Sequence, residues 1–209
     1  MQNFFYEQKL PVGRFATNKE LLANAYRLNQ VHGNVLRPIS QGTKAPLPLQ
    51  EGDGWWWKWK EVNLQSQIPS IITADCLPIV VLGKLGGIFV HAGWRGVQKK
   101  IVINPILEEL DPYFAFIGPS IQKRNFQVTE EFYEQFPDSK NFSLTHGTIT
   151  FDLQQEIKDQ LKKSFPLVTV HDAQICTFED KNFHSFRREK VAFRNYHYYL
   201  VDKITKDQS

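Results

Sequence analysis

Two apolar runs, "PIVVLG" (78–83) and "GGIFVHA" (86–92), with only Lys84 and Leu85 between Gly83 and Gly86, do most to limit what this chain can become. Short, β-branched and aromatic runs bounded by glycines read as strands, and a two-residue Gly-flanked connection reads as a hairpin turn. Neither run alternates with polar residues, so both belong to buried neighbouring strands that other layers must cover. "GKLGG" (83–87) is therefore a turn and not a phosphate loop, and neither GxGxxG nor GxxxxGK[ST] occurs elsewhere.

Strand-like and helix-like segments alternate around this pair. "NVLRP", "WWWKW", "SIIT", "YFAFIG" and "PLVTVHD" read as strands, while 38–54, rich in Pro and Gly, reads as a loop. "TNKELLANAYRL" (17–28) predicts an amphipathic helix, with Thr17 and Glu20 as a capping box. "GWRGVQKKIVINPILEEL" predicts a helix interrupted near Pro105, and "TEEFYEQF" a short one N-capped by Thr129. "DLQQEIKDQLKKSF" (152–165) predicts an amphipathic helix capped by Asp152. "VAFRNYHYYLV" fits a long aromatic strand or a helix. The pattern has no repeat and no linker, which predicts a single domain over 1–209 of the α/β class, an α+β layered sandwich.

At 209 residues the chain can bury a sizeable core. A net charge of +3, with no basic run longer than two residues, argues against nucleic acid and leaves anionic small molecules such as phosphate as fitting substrates. No apolar run approaches a membrane span, and the N-terminal stretch lacks the order of a secretory signal, so a cytoplasmic protein is expected. Cys76 and Cys176 are then expected not to pair.

Three polar segments interrupt the apolar pattern: "NQVHGN" (29–34), "TADCLP" (73–78) and "HAGWRG" (91–96). A residue at a strand end beside a glycine turn is where α/β folds place functional groups. Spacing alone does not show that His32, Cys76 and His91 meet. If they do, two imidazoles and a thiolate form a three-ligand site with an open fourth position, the catalytic form of zinc coordination, which polarises a substrate or acidifies a bound water. Copper also accepts His₂Cys, although the one methionine, Met1, leaves a blue-copper axial ligand to another group. Against this, a thiol beside "LPIVV" is ordinarily core, Trp94 ordinarily packing and Arg95 ordinarily a surface charge. Cys176 reads as structural.

These segments, in this order, together with "IGPSI" (117–121) and "CTFEDKNFHSFRRE" (176–189), resemble the laccase-domain family of bacterial proteins. That family is also named peptidoglycan-editing factor and zinc-dependent purine nucleoside phosphorylase, and formerly polyphenol oxidase. The resemblance runs from about residue 27 to 196, with Arg194 where a further arginine is expected. Two stretches depart from the family pattern: "PVGRFATNKE" stands where a longer T-x-R-x-G-G segment is usual, and "GDGWWWKW" replaces an "ADALVT"-like strand. The three tryptophans Trp55–Trp57 would pack a strand on both faces or stack a base.

The resemblance implies that His32, Cys76 and His91 hold zinc, with copper as the alternative. It implies a layered α/β/α fold similar to cytotoxic-necrotizing-factor-like cysteine hydrolases. A monomer or weak homo-oligomer is expected. The implied reaction is phosphorolysis of adenosine, inosine, guanosine and methylthioadenosine, with adenosine deamination in the same pocket. Arg95 is the first phosphate candidate, then Arg187 and Arg188, because guanidinium matches phosphate bidentately. Asn29 and Gln30 are candidates for substrate hydrogen bonds. Asp75 is the candidate proton-shuttling carboxylate or, equally, the partner that orients a ligand histidine. The competing readings are a metal-free hydrolase or deamidase with Cys76 as nucleophile and His91 as base, a copper polyphenol oxidase, a peptidoglycan-precursor editing hydrolase and a non-enzymatic binding module.

Overall fold

The fold is described from a computed structural model, over residues 4–39, 50–190 and 192–201. The two apolar runs form β7 (Leu77–Gly83) and β8 (Gly86–Ala92), an antiparallel hairpin paired from Leu77↔Ala92 to Leu82↔Gly87. They sit in the middle of a six-stranded sheet. β9 (Pro112–Ile117) and β13 (Thr169–Asp172) flank β7, while β5 (Gly54–Lys58) and β4 (Leu36–Pro38) flank β8.

Period-two alternation sends successive residues of the hairpin to opposite faces, and both faces are buried. Ile79, Val81, Ile88 and Val90 pack with Val97, Leu107, Leu110, Leu153, Ile157 and Leu161. These come from α1 (Trp94–Gln98), α2 (Ile106–Leu110) and α3 (Leu153–Ser164). Val80, Leu82 and Phe89 pack the other way, against Trp55, Trp57, Phe15, Ile71 and Tyr199.

The second face is covered by a five-stranded sheet. Its order is β1 (Tyr6–Lys9), β2 (Arg14–Asn18), β14 (Asn195–Leu200), β6 (Ile68–Thr73), β3 (Ala25–Tyr26). A small sheet of β10 (Gln127–Val128), β12 (Thr148–Phe151) and β11 (Phe142–Thr145) packs Phe142 and Phe151 on Phe132, which in turn meets Trp94 of α1. The molecule is thus mixed α/β as expected, but its layers run helix, sheet, sheet rather than helix, sheet, helix.

Several sequence expectations need correction. Residues 17–28 are not a helix: Thr17 and Asn18 end β2, and Ala25 begins β3. Phe15, Ala16 and Thr17 are fully buried between β1 and β14, and that tertiary pairing overrides the local amphipathic spacing. The segment after Gly93 is broken before Pro105, at Lys100, whose φ of 60° lies in the left-handed region. Residues 130–135 form a 3₁₀ turn, and Thr129 supplies no side-chain cap. Asp152 does cap α3, accepting from the Gln155 N–H at 2.9 Å. "NYHYYL" resolves as strand β14. Most of the expected 38–54 loop, residues 40–49, lies outside the described residues.

Candidate metal centre

Strand register brings Cys76 and His91 together. Pro78 is paired with His91, so Cys76, just before β7, and His91, near the end of β8, lie on the same face at the same end of the hairpin. His32 arrives from a turn between β3 and β4. The ligand atoms of His32, Cys76 and His91 all lie within 4.8 Å of one another, and the two imidazole rings are 4.7 Å apart, near perpendicular. A tetrahedral zinc with bonds of about 2.0 Å to nitrogen and 2.3 Å to sulfur needs donors about 3.3–3.7 Å apart, so a small closure brings all three into its coordination range.

Gly93 faces the same space. A Cβ there would stand 3.1 Å from His32 Cδ2 and 3.2 Å from Cys76 Sγ, so any larger residue would crowd two of the three donors. Two imidazoles, one thiolate and an uncrowded centre fit a borderline divalent ion.

One carboxylate that the sequence reading passed over organises the site. Asp53 precedes β5, whose Gly54 pairs with Val90, so Asp53 is the cross-strand neighbour of His91. It is fully buried, and its Oδ1 is 2.9 Å from His91 Nδ1. Asp53 also accepts the His32 N–H at 2.9 Å and the Gly33 N–H at 2.6 Å. The bond to Nδ1 turns Nε2 of His91 toward Cys76. Burial raises the Asp53 carboxyl, but the bonds from His91 and from the Gly33 and His32 amides outweigh it and hold the group below its usual range.

Without a metal the cysteine and histidine are tightly coupled. Burial pushes the Cys76 thiol up, but the His91 charge and hydrogen bonds from both histidines bring it down to about 6. Burial pushes His91 down, while the Cys76 thiolate and Asp53 bring it up to about 9. The pair is poised as thiolate and imidazolium.

The other expected site residues separate into groups. Asp75 does not touch either ligand histidine. Its Oδ1 accepts from Thr177 Oγ1 at 2.7 Å and its Oδ2 from the Arg187 N–H at 2.7 Å. The histidine-orienting carboxylate is Asp53 instead. Asp75 has a φ of 90°, a strained backbone held by those two bonds.

Gln30 clasps the backbone of Ile72 from both ends of its amide, at 2.7 and 2.8 Å. Its polar atoms are thus spent on pinning the His32 turn to β6. Asn29 pairs its backbone with Gln50 and Gly52. Arg188 is enclosed by the carbonyls of Thr177, Phe178 and Phe183 and by Glu189. Arg95 is exposed, with its guanidinium over the outer Trp94 ring at 4.2 Å. Arg187 lines a cleft of about 150 Å³ that opens at Cys76, with Gly93, Trp94, Phe126 and Phe186 among its other walls. Its guanidinium rests on the Gln127 carbonyl at 3.1–3.2 Å. Trp55 and Trp57 are core, so they do not stack a ligand.

The remaining histidines lie elsewhere. His146 tips the β11–β12 hairpin, His171 packs on Phe114, His184 pairs with Glu189, and His197 is buried between Thr17 and Thr73. Among the described residues, His32, Cys76 and His91 are the one His/Cys/carboxylate group able to hold a metal. Cys76 and Cys176 are both free thiols, and no helix is long and apolar enough to cross a membrane among the described residues.

The chain is similar to known proteins over most of its length. A purine nucleoside phosphorylase of Aquifex aeolicus is 31% identical over 199 residues, which is 90% of this chain and 95% of that protein. The purine nucleoside phosphorylase YfiH of Escherichia coli is 27% identical over 178 residues, 80% of this chain and 70% of that protein. In fold, the chain is similar to a Bacillus licheniformis protein titled hypothetical protein YfiH, with a TM-score of 0.73 at 19% identity over 86% of this chain and 75% of that one. It is likewise similar to YlmD of Geobacillus stearothermophilus, with a TM-score of 0.72 at 20% identity over 87% and 74%. The family model described as multi-copper polyphenol oxidoreductase laccase matches residues 12–197. With the three-donor site and the match along nearly its whole length, the chain belongs to that laccase-like family.

Proposed function

We propose that this protein is a metal-dependent purine nucleoside phosphorylase, with adenosine deamination as a second activity of the same pocket. The convergence of His32, Cys76 and His91 beside a cleft carrying the Arg187 guanidinium is the observation that carries this reading. The relatives named purine nucleoside phosphorylase support it. Zinc suits the donor set, with copper as the alternative, and two free thiols suit a cytoplasmic enzyme. Zinc held by His32, Cys76 and His91 would supply Lewis acidity.

In phosphorolysis a phosphate oxygen bonds to C1′ of the ribose as the C1′–N9 bond breaks. The electron pair leaves with the purine, which takes up a proton, and the products are base and ribose 1-phosphate. The transition state has oxocarbenium character, as in glycoside hydrolysis. Arg187 is the guanidinium on the cleft and takes the place of Arg95 as first phosphate ligand. Arg188, occupied by four acceptors, holds the 177–189 segment in shape. Asp75 positions Thr177 and Arg187 from below. Phe126 and Phe186 give the cleft the apolar walls a purine requires.

Incubation of zinc-loaded protein with adenosine and phosphate tests this directly. Adenine and ribose 1-phosphate are expected, with inosine as the minor product; zinc-loaded protein that turns over no purine nucleoside overturns the reading.

A metal-free cysteine hydrolase is the second reading, favoured by the thiol held down to about 6 beside His91. Metal analysis of protein purified without added metal separates the two. Stoichiometric zinc that disappears in Cys76→Ala supports the metal enzyme. Metal-free, active protein that loses its activity on alkylation of Cys76 supports the hydrolase.

A further inference from the structure

We infer that Asp53 is a positioning residue that binds the two histidine ligands into one unit, so that neither can be set independently of the other. The inference rests on the metal-site reading above and concerns how that site is built. Four groups converge on this one buried carboxylate. His91 Nδ1 lies 2.9 Å from Oδ1, and the His32 N–H reaches the same oxygen at 2.9 Å. The Gly33 N–H reaches Oδ2 at 2.6 Å and the Val31 N–H at 3.4 Å.

All three backbone groups can only donate, and a neutral His91 facing Asp53 donates through Nδ1–H, leaving the Nε2 lone pair for a metal. A carboxylate offers acceptor sites in all these directions and no donor to oppose them. An asparagine in the same place would turn an NH₂ group against an N–H donor whichever way its amide faced.

The backbone of Asp53 is tied to the same two regions. Its carbonyl accepts the His91 N–H at 2.7 Å, and its own N–H donates to Val35 at 2.8 Å. The carboxylate thus sets the ring of His91 and, through three successive amides, the turn from which His32 projects. His32 holds a φ of 58° there, a conformation that needs such support.

The experiment is a zinc-affinity cycle by chelator competition on the full chain: wild type, Asp53→Asn, His91→Ala and the double variant. Asp53→Asn is expected to weaken zinc about 10- to 100-fold, the usual range for a partner of a metal-bound histidine. In the His91→Ala background it is expected to cost a further several-fold, because the His32 turn is still released. No further loss in that background means that Asp53 serves His91 alone and overturns the inference.

Amide hydrogen exchange on metal-free protein provides a readout that uses neither zinc nor nucleoside, and so stays decisive if the phosphorylase reading fails. The His32 and Gly33 amides of wild type are expected to be protected although His32 is exposed. Asp53→Asn should abolish that protection while leaving β7 and β8 protected. Free exchange of both amides in wild type overturns the inference, even if the variant does not fold.

Discussion

The two halves of the site are built in opposite ways. His91 comes from the central hairpin and Cys76 from the position just before it; the hairpin is buried on both faces, and its register places the two side chains together. His32 comes from a turn and Arg187 from a one-turn helix, Phe186–Glu189, and each depends on hydrogen bonds from elsewhere. The His32 turn hangs on Asp53 and on Gln30, and the backbone of Arg187 on Asp75. The strand-borne half is rigid because the core makes it so; the loop-borne half is rigid only while a few buried polar side chains hold it. Substitutions in the first half should therefore remove chemistry and spare the fold, and those at the anchors of the second should weaken both.

Cys76→Ala should give the largest effect, loss of stoichiometric metal and of at least about 10³-fold in kcat/KM, while the unfolding midpoint of metal-free protein below about pH 6, where the thiolate no longer contributes, is little changed. Metal analysis and, after metal removal, urea unfolding of one preparation check both parts. Asp53→Ala should cost about 3–5 kcal/mol of stability, because it strips a buried charge from its partners. Chemical denaturation measures this, and a loss below about 1 kcal/mol would erase the distinction between the two halves.

The metal-free thiol gives the third prediction. Its pKa is depressed to about 6 from the usual cysteine value of about 8.5, so the thiolate persists down to about pH 6. The stabilisation it contributes is present above about pH 8.5 and is lost as pH falls through about 6. His91, raised to about 9, contributes in the opposite sense: its share is present below about pH 6.5 and lost as pH rises through about 9. Alkylation of Cys76 should accordingly reach half its maximal rate near pH 6, and zinc should block it. A midpoint near 8.5 would show that His91 does not act on the thiol.

Gln30→Ala should have the smallest effect. Losing two hydrogen bonds to Ile72 should cost about 1–2 kcal/mol and weaken zinc several-fold through the His32 turn. Equal zinc affinity in variant and wild type would mean that Asp53 alone suffices to hold the turn.

The same division explains what could be read from the amino acids. Cys76 and His91 stood at the ends of apolar runs whose strand character is local, and α3 announced itself through its spacing and its Asp152 cap. Asp53 left only a faint signal, a lone acidic residue at the edge of "GDGWWW". Its role emerges once Gly54 is placed opposite Val90, which is a matter of register between distant strands. Residues 17–28 misled for a related reason: Thr17 and Asn18 belong to β2, which pairs with a strand about 180 residues away, and no local pattern encodes that partner. The β11–β12 hairpin was missed although His146 and Gly147, both at positive φ, are a turn pair of the kind that closes tight hairpins. Arg187 and Arg188 are adjacent and chemically identical, and only the fold gives one the cleft and the other a cage of carbonyls.

The placement of β14 carries a consequence for how the protein is made. It lies between β2 and β6, and its His197 joins Thr17 to Thr73 through both ring nitrogens, at 3.0 and 2.8 Å. During synthesis, β2 and β6 must wait for residues 195–200 to leave the ribosome, with open strand edges in the meantime. Thr73 is three residues before Cys76, so the segment that delivers the thiol is clamped only after His197 has emerged. Pairings of such long sequence separation fold slowly, and the nascent chain spends that interval dependent on protection from aggregation. A metal at the His32–Cys76–His91 site would thus be captured only after β14 has emerged and paired.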